Sequence, residues 1–530
     1  MNEENKDIES LNDIESANET ILNNKKRRID DFFGISKNNT TIKIEIIAGI
    51  VTFLAMCYIL VVNPNNLIDP NNEGINAANV SWTSIFIATA FGAFFGTFLM
   101  AIVAKMPLAQ APGMGLNYTI GTTFIGAFGG VFFTFGQAML LVLITGIIFL
   151  LLSIIPGKRD KKTGRLIALR ELIFDGIPDC IRKSIPIGIG LFIAFIGLKN
   201  ANIISGDPGT LVKFVTLNNK DAWKLGKEGC QAMVALFGFI IIVILNHFKI
   251  KGSVILGILS AAILAIPLKV ADIDALKGNE QVSWKFWLNF KDFFIGSKEY
   301  DSAFVSVFRD GFKGWNSDMI VASIVLIITF SMIDMFDTMG TVVGCTKAAG
   351  LTEENGKPKN YNKIMISDSF ATVVGSIFGT STVTTFVESG SGIAEGGKTG
   401  LVSFTTAILF LLAVFIAPIF AFVPEAACAP ALIFVGVLMM RNVIDIDFKE
   451  IRYAAPAFLT ILFMPLAYSI TTGVGLGVVS FVIINFVIWI VQIIEYKRGK
   501  IKEKPKSEIS IILLIIFILF MLYFLLPSKF

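Results

Sequence analysis

Charge is scarce in this chain, and so are the residues that usually do chemistry. Only 16% of residues are charged, there is a single histidine, His247, and there are five cysteines in 530 residues. No HExxH or comparable metal spacing occurs, and no nucleophile–base set stands out. Enzyme chemistry of the common kinds is therefore not expected, nor is any cofactor or metal. Cys57, Cys180, Cys230, Cys345 and Cys428 lie mostly in or beside apolar stretches, which gives no disulfide or zinc framework. His247 falls at a helix end and reads as an interfacial residue. The first 41 residues are polar, carrying acids and then the basic run Lys25–Arg28, with no early apolar core, so no cleavable signal peptide is expected.

What is abundant is apolar surface. The chain is 54% hydrophobic, with a mean hydropathy of +0.71. Windows near the length of roughly 20 residues that spans a bilayer recur throughout. Candidate spans lie near 43–62, 82–104, 129–155, 184–199, 231–247, 253–270, 319–344, 363–378, 399–423, 427–440, 454–471 and 473–495. Two weaker, glycine-rich segments lie near 109–126 and 379–397, which makes about fourteen. A further apolar run, Ile509–Leu526, either spans or lies flat. The expectation is an all-α polytopic protein whose main partner is the lipid bilayer of the cell membrane.

Orientation follows from the placement of Lys and Arg. Asn63–Ser81 has neither, whereas Gly157–Arg170, Lys347–Lys363, Arg441–Arg452 and Lys497–Lys506 are basic. Both ends of the main bundle are then cytoplasmic, the amino terminus included. These juxtamembrane loops account for most of the net charge of +4, so no nucleic-acid partner is implied. Asn79-Val80-Ser81 is a glycosylation sequon in an expected outside loop.

The two halves echo each other. Ile50–Pro64 is similar to Ile327–Thr341, and the broken segments Leu108–Thr123 and Thr380–Glu395 correspond. Pro178–Asn200 and Pro424–Asn442 share a proline before an acid, a second proline and a glycine-containing apolar run. Seven spans per half is odd, so the second copy is inverted. Paired interrupted segments in inverted halves point to a transporter's binding site. Ser381–Val387 is β-branched and hydroxyl-rich and reads as extended, with a short helix over Glu388–Glu395. Gln110–Leu116, with Pro112, Gly113 and Gly115, opposes a helix until about Asn117. Non-helical backbone at membrane depth survives only in protein or along a cavity. Two short strands pairing with each other satisfy that condition.

Carboxylates sit where a bilayer penalises them by about 2.5 kcal/mol or more. Ser331, Asp334, Asp337, Thr338 and Thr341 share one helix face, and Glu388 centres the second broken segment. The plain alternatives are weighed beside this. Glu388 can cap the short helix it begins. Asp334 can be a structural acid, and Asp368, after Ser367, can cap a helix start. Phe386 and Tyr118 can pack in the core, and Gly340 with Gly344 reads as a close-packing GxxxG.

The motifs NPNNL, APGMGLN, MFDTMGT, SDSFATVVGSIFGTSTVTTFVES, GIAEGGKTGL and APALIFVGVLMM closely resemble the AzgA-like purine permeases of the nucleobase–ascorbate transporter family. The resemblance covers roughly residues 40–500. It implies two inverted repeats of seven spans, with short strands in the third and tenth, and proton-coupled uptake of adenine, guanine or hypoxanthine. Core and gate domains follow. The core takes 42–156 and 318–423 and the gate 157–270 and 424–496, with a cytoplasmic extension at 1–41. An extracellular loop at 271–317 and a basic linker with an apolar segment at 497–530 complete the chain. A homodimer is among the expected partners. Carried over by position, the base contacts are Asp337, Glu388 and Asn117, with Thr385, Phe386 and Ser389 around them. Asp368, Asp337 and Asp334 are the proton-coupling acids, Asp368 preferred. Where the family usually continues GLN-A-Y-F, this chain reads GLN-Y-T-I, which moves the aromatic one position early to Tyr118.

An anion or sulfate permease of the same fold, or a passive channel, are the competing readings. The first needs basic or neutral groups at the half-helix ends, against which Asp337 and Glu388 argue. The second needs neither coupling acids nor inverted broken helices.

Overall fold

The computed structural model describes residues 28–69, 76–126, 130–159, 166–207, 209, 211–215, 227–250, 252–271, 282–297, 299–353, 357–500, 503 and 505–525. The amino-terminal extension up to residue 27 and the stretch 272–281 of the expected extracellular loop lie outside the described residues. Long apolar helices dominate. Among the described residues nine are long and apolar enough to cross a bilayer, from Ile42–Ile68 to Ile470–Lys497. That is fewer than fourteen because several expected segments are short, interrupted, or carry polar residues. Ile451–Leu466 has only 16 residues. Tyr361–Phe378 carries Lys363 and Asp368.

Helix entry follows local chemistry. Thr41, Ser81, Thr134, Asn316 and Ser469 each accept a backbone N–H of the first turn of the helix they precede. Gly379 ends Tyr361–Phe378 at φ +88, and a Cβ there would run into the Ala303 carbonyl. Gly379→Ala is expected to cost about 2 kcal/mol or more, combining left-handed strain with the clash. A lowered thermal midpoint of the detergent-solubilised protein is the readout, and an unchanged one would contradict the assignment.

The inverted repeat has a physical counterpart in the helices Asp179–Asn200 and Glu425–Met440. Each follows a proline, Pro178 or Pro424, and contains another, Pro186 or Pro430. They pack glycine against glycine. A Cβ on Gly190 would meet Met439 and the Gly436 carbonyl, and one on Gly436 would meet the Gly190 carbonyl. Gly190 and Gly436 stand the same distance apart in sequence as Pro178 and Pro424, so the contact lies on the pseudo-symmetry axis.

The apolar carboxy-terminal run forms the helix Ile511–Leu525 and lies along the bundle. Near its start, Ser510 donates to the Gly176 carbonyl (3.0 Å) and Tyr453 donates to Glu508 (2.8 Å). Further along, Phe520 and Phe524 cover Gly475, near the start of Ile470–Lys497. Of the GxxxG pair, Gly340 approaches Pro186, whereas a Cβ on Gly344 would meet nothing.

Candidate functional site

Both broken segments become strands at the centre of the molecule. Gln110–Pro112 pairs antiparallel with Val383–Thr385, in the register Gln110↔Thr385, Ala111↔Thr384 and Pro112↔Val383. Gly113 N donates to Thr382 O (2.9 Å) and Phe386 N to Ala109 O (3.0 Å), extending the ladder. A two-stranded ribbon in an apolar interior leaves its outer edges without water, and side-chain hydroxyls from the surrounding helices take that place. Thr97 accepts from Gln110 N and donates to Gln110 O (2.8 Å each). Thr372 donates to Val383 O (3.2 Å), and Ser389 accepts from Ala109 N (2.9 Å). Ser403 donates to the Met106 and Leu108 carbonyls, at 2.6 and 2.8 Å.

Each strand runs into a half-helix. The first, Met114–Phe124, begins directly after Gly113, about three residues before the expected start at Asn117. Pro112 in the strand and an extended Gly113 at the N-cap are enough to break it, and Gly115 sits in the helix. The second, Ser389–Ala394, packs so closely on the first span that a Cβ on Gly392 would overlap Thr52 and the Ala48 carbonyl. Glu388 stands at its N-cap position, but its side chain makes no cap hydrogen bond. The carboxylate turns to Tyr58 instead, whose hydroxyl donates to Oε1 at 2.6 Å. Oε2 is buried and has no partner.

Glu388, Asp337, Thr385 and Phe386 meet at one cavity, closed by Met114 and Thr341. Its other wall is apolar and comes from the repeat-related pair of helices, through Ile193, Val435 and Met439. Asp337 is half-buried, and Thr384 donates a hydroxyl to its Oδ2 at 3.3 Å. The cavity measures about 20 Å³, room for little more than a water molecule.

Two expected contacts lie beside the cavity and not in its lining. Asn117 accepts the Ser381 hydroxyl and leaves its Nδ2 buried without a partner. Ser389 is spent on Ala109 N. Tyr118 points away from the acids and meets Tyr468 and Phe192 edge-on, with centroids 4.9 and 6.3 Å apart.

Asp368 and Asp334 belong to a second polar cluster behind the strands. Arg170 and Asp368 form an ion pair at 3.0 Å with both side chains fully buried. Asp368 also accepts from Thr338 (2.7 Å) and from Gln110 Nε2 (3.2 Å), and it caps no helix. The same Gln110 amide reaches Thr385 at 3.3 Å, joining this cluster to a cavity residue through the strand ladder. The Arg170 guanidinium donates to Ser369 (3.0 Å) and lies over the Phe149 ring, 4.4 Å from its centroid. Asp334 is fully buried in the neighbouring helix, and neither of its oxygens takes a hydrogen bond.

Arg170 is a correction to the sequence reading, which counts it with the basic cytoplasmic loop Gly157–Arg170. The signal that distinguishes it is slight. Arg170 follows the apolar Leu166–Leu169, at the end of a run otherwise rich in exposed-type residues. Two further residues join these networks without a sequence signal for it: Tyr58 inside the first expected span, and Asn63, which that span leaves outside but which is buried in the helix Ile59–Ile68. Asn63 donates to Thr89 (2.7 Å) and Thr380 (2.8 Å), tying that helix to the second broken segment.

Comparison with known proteins agrees with this architecture. Among solved structures, the transmembrane domain of a cyanobacterium bicarbonate transporter, BicA, superposes with a TM-score of 0.52 at 15% identity, covering 82% of this chain and 97% of that one. The anion transporter SLC26A9 gives 0.50 at 13%, covering 87% and 69%. These likenesses concern the fold alone. In sequence, the guanine/hypoxanthine permease PbuO of Bacillus subtilis is 35% identical over 464 residues, 86% of this chain and 94% of its own. The adenine permease AdeP of Escherichia coli is 30% identical, covering 86% and 90%. The family model Xan_ur_permease, described as a permease family, matches residues 43–476. The chain therefore belongs to the Xan_ur_permease family and is an integral membrane permease.

Proposed function

We propose that the protein takes up purine nucleobases across the cell membrane and couples their entry to protons, with its amino terminus in the cytoplasm. One observation carries the substrate reading: two carboxylates, Asp337 and Glu388, line a single cavity. A carboxylate only accepts hydrogen bonds, and a purine edge offers N–H donors beside ring acceptors. Glu388 Oε2, buried without a partner, is where such a donor belongs. The relatives named as guanine/hypoxanthine and adenine permeases support the same class. An anion permease is disfavoured, because two acids would oppose its substrate.

The cavity is too small for a purine in this conformation. Entry requires the wall of Ile193, Val435 and Met439 to withdraw while the strands and acids stay in place. That is alternating access between a core (42–156, 318–423) and a gate (157–270, 424–496). The exception is Arg170, at the start of the gate range, which stays with the core to which its ion pair with Asp368 fastens it.

Proton coupling is assigned to Asp334. One guanidinium, Arg170, serves a cluster with two buried carboxyls, and Asp368 takes the ion pair and two further hydrogen bonds. Asp334 receives none, and an ionised carboxylate so placed would be buried with no donor at all. It holds the cluster's exchangeable proton, and Asp368 becomes the fixed counter-ion in place of the carrier expected from sequence. One proton crossing about 100 mV supplies about 2.3 kcal/mol, sufficient for roughly fiftyfold accumulation. Asp334→Asn is expected to abolish protonophore-sensitive accumulation while keeping exchange of labelled purine for unlabelled. Accumulation that persists in that variant would return the role to Asp368 or Asp337.

A further inference from the structure

Rings from both repeats cluster on elements that also line the acid cavity or adjoin it. Tyr118, next to Asn117 in the first half-helix, meets Tyr468, and Phe192 packs edge-on against Tyr468 at 5.5 Å. Against these rings lies a second cavity of about 260 Å³, lined by Tyr118, Phe195, Lys199, Tyr468 and Ser205 of the adjoining hairpin. Ile193 lines the acid cavity, whereas Phe195 and Lys199 lie further along the same helix. That helix starts after the basic stretch 157–170, so its far end and the hairpin face outward by the Lys/Arg bias.

The chemistry of this outer cavity is specific. Tyr468, which lines the cavity, is held at φ +52, a backbone conformation that non-glycine residues adopt at a cost. Phe195 adds a second ring, 5.7 Å from Tyr468. Lys199 Nζ stands 5.3 Å from the centre of the Tyr468 ring and 6.0 Å from that of Tyr118. The combination is flat apolar faces for stacking plus one ammonium, which only donates hydrogen bonds. A 6-oxopurine presents O6 and N7 side by side as acceptors, the edge that a lysine recognises. Adenine presents an N6 donor at the first of these positions.

We propose that this outer cavity is a second base-binding site, a vestibule that captures 6-oxopurines before they reach the acids, with Lys199 selecting them over adenine. It rests on the purine reading above. Lys199→Met is expected to lower the ratio of hypoxanthine to adenine uptake by about tenfold, and Lys199→Arg to restore most of it. A ratio unchanged at normal surface expression would overturn the proposal.

A labelling measurement separates the vestibule from the acid site. Ser205→Cys is reacted with an impermeant maleimide from outside, with labelling of the parent protein subtracted, in a Glu388→Gln background that disables the inner site. Hypoxanthine is expected to slow labelling and adenine to slow it much less, with the protection lost in Lys199→Met. Absence of protection, or equal protection by both bases, would show that the cavity is no binding site. If the unmodified protein takes up no purine, the purine reading fails and the vestibule falls with it. If uptake is normal and protection absent, only the vestibule falls.

Discussion

Glu388→Gln is expected to reduce purine uptake by about a hundredfold or more, with little change in surface expression. Glutamine has the size of glutamate, and its carbonyl can still accept the Tyr58 hydroxyl now donated to Oε1. The second position becomes an NH₂ group, which places a donor against the purine's own N–H groups. The loss combines a missing charge-assisted hydrogen bond with a newly unpaired buried donor, each of which is costly. Sites built to hydrogen-bond a substrate discriminate by large factors for this reason. Tyr58→Phe should have a smaller effect, about tenfold, since it leaves the carboxylate free to accept from the base but removes the bond that orients it. Near-native uptake by Glu388→Gln would remove this residue from the site.

Arg170→Met is expected to destabilise the protein by about 3–5 kcal/mol, because it leaves Asp368 buried and charged with no counter-ion. The loss should appear as a lowered thermal midpoint and reduced recovery from the membrane. Adding Asp368→Asn to Arg170→Met removes the orphaned charge and should restore much of the stability, a coupling that a double-mutant cycle measures directly. Equal and additive losses in the two single variants would mean that the ion pair has no special place in the fold. The double variant also keeps Asp334, so any accumulation it retains reports on the proton site independently of stability.

Several parts of this arrangement are legible in the residues themselves. The β-branched run around Val383–Thr385 and the Pro112–Gly113 break announce the strands, and acids in apolar helices announce the cavity. The first half-helix starts earlier than Gly115 suggests, since a glycine costs a helix only about 1 kcal/mol and burial on both sides outweighs it. The rule that a carboxylate at depth marks function finds the two acids that share the cavity, Glu388 and Asp337, but it is incomplete. Glu45 is fully buried too, yet it accepts from Lys398 N (2.9 Å), Thr399 N (3.1 Å) and the Thr399 hydroxyl (2.6 Å). It holds Thr399, the residue that caps Gly400–Ala413, and needs no substrate. Only its partners, far away in sequence, tell it from Glu388.

Arg170 shows the same limitation from the cationic side. Its neighbours make it one more juxtamembrane charge, and its real partner lies 198 residues away. Composition assigns such a residue to water, and only the three-dimensional pairing brings it inside. Tyr118, the aromatic displaced by one position, likewise acquires meaning only when Tyr468 and Phe192 are seen against it.

The most direct measurement of the central claim is flux into proteoliposomes holding the purified protein. Labelled hypoxanthine, guanine, adenine and uracil would be offered with and without an imposed inward proton gradient. The account expects purines to accumulate above equilibrium under the gradient, collapse to exchange when a protonophore is added, and lose all uptake in Glu388→Gln. Folded protein that moves no purine, or moves it equally well without the gradient and without Glu388, would contradict it.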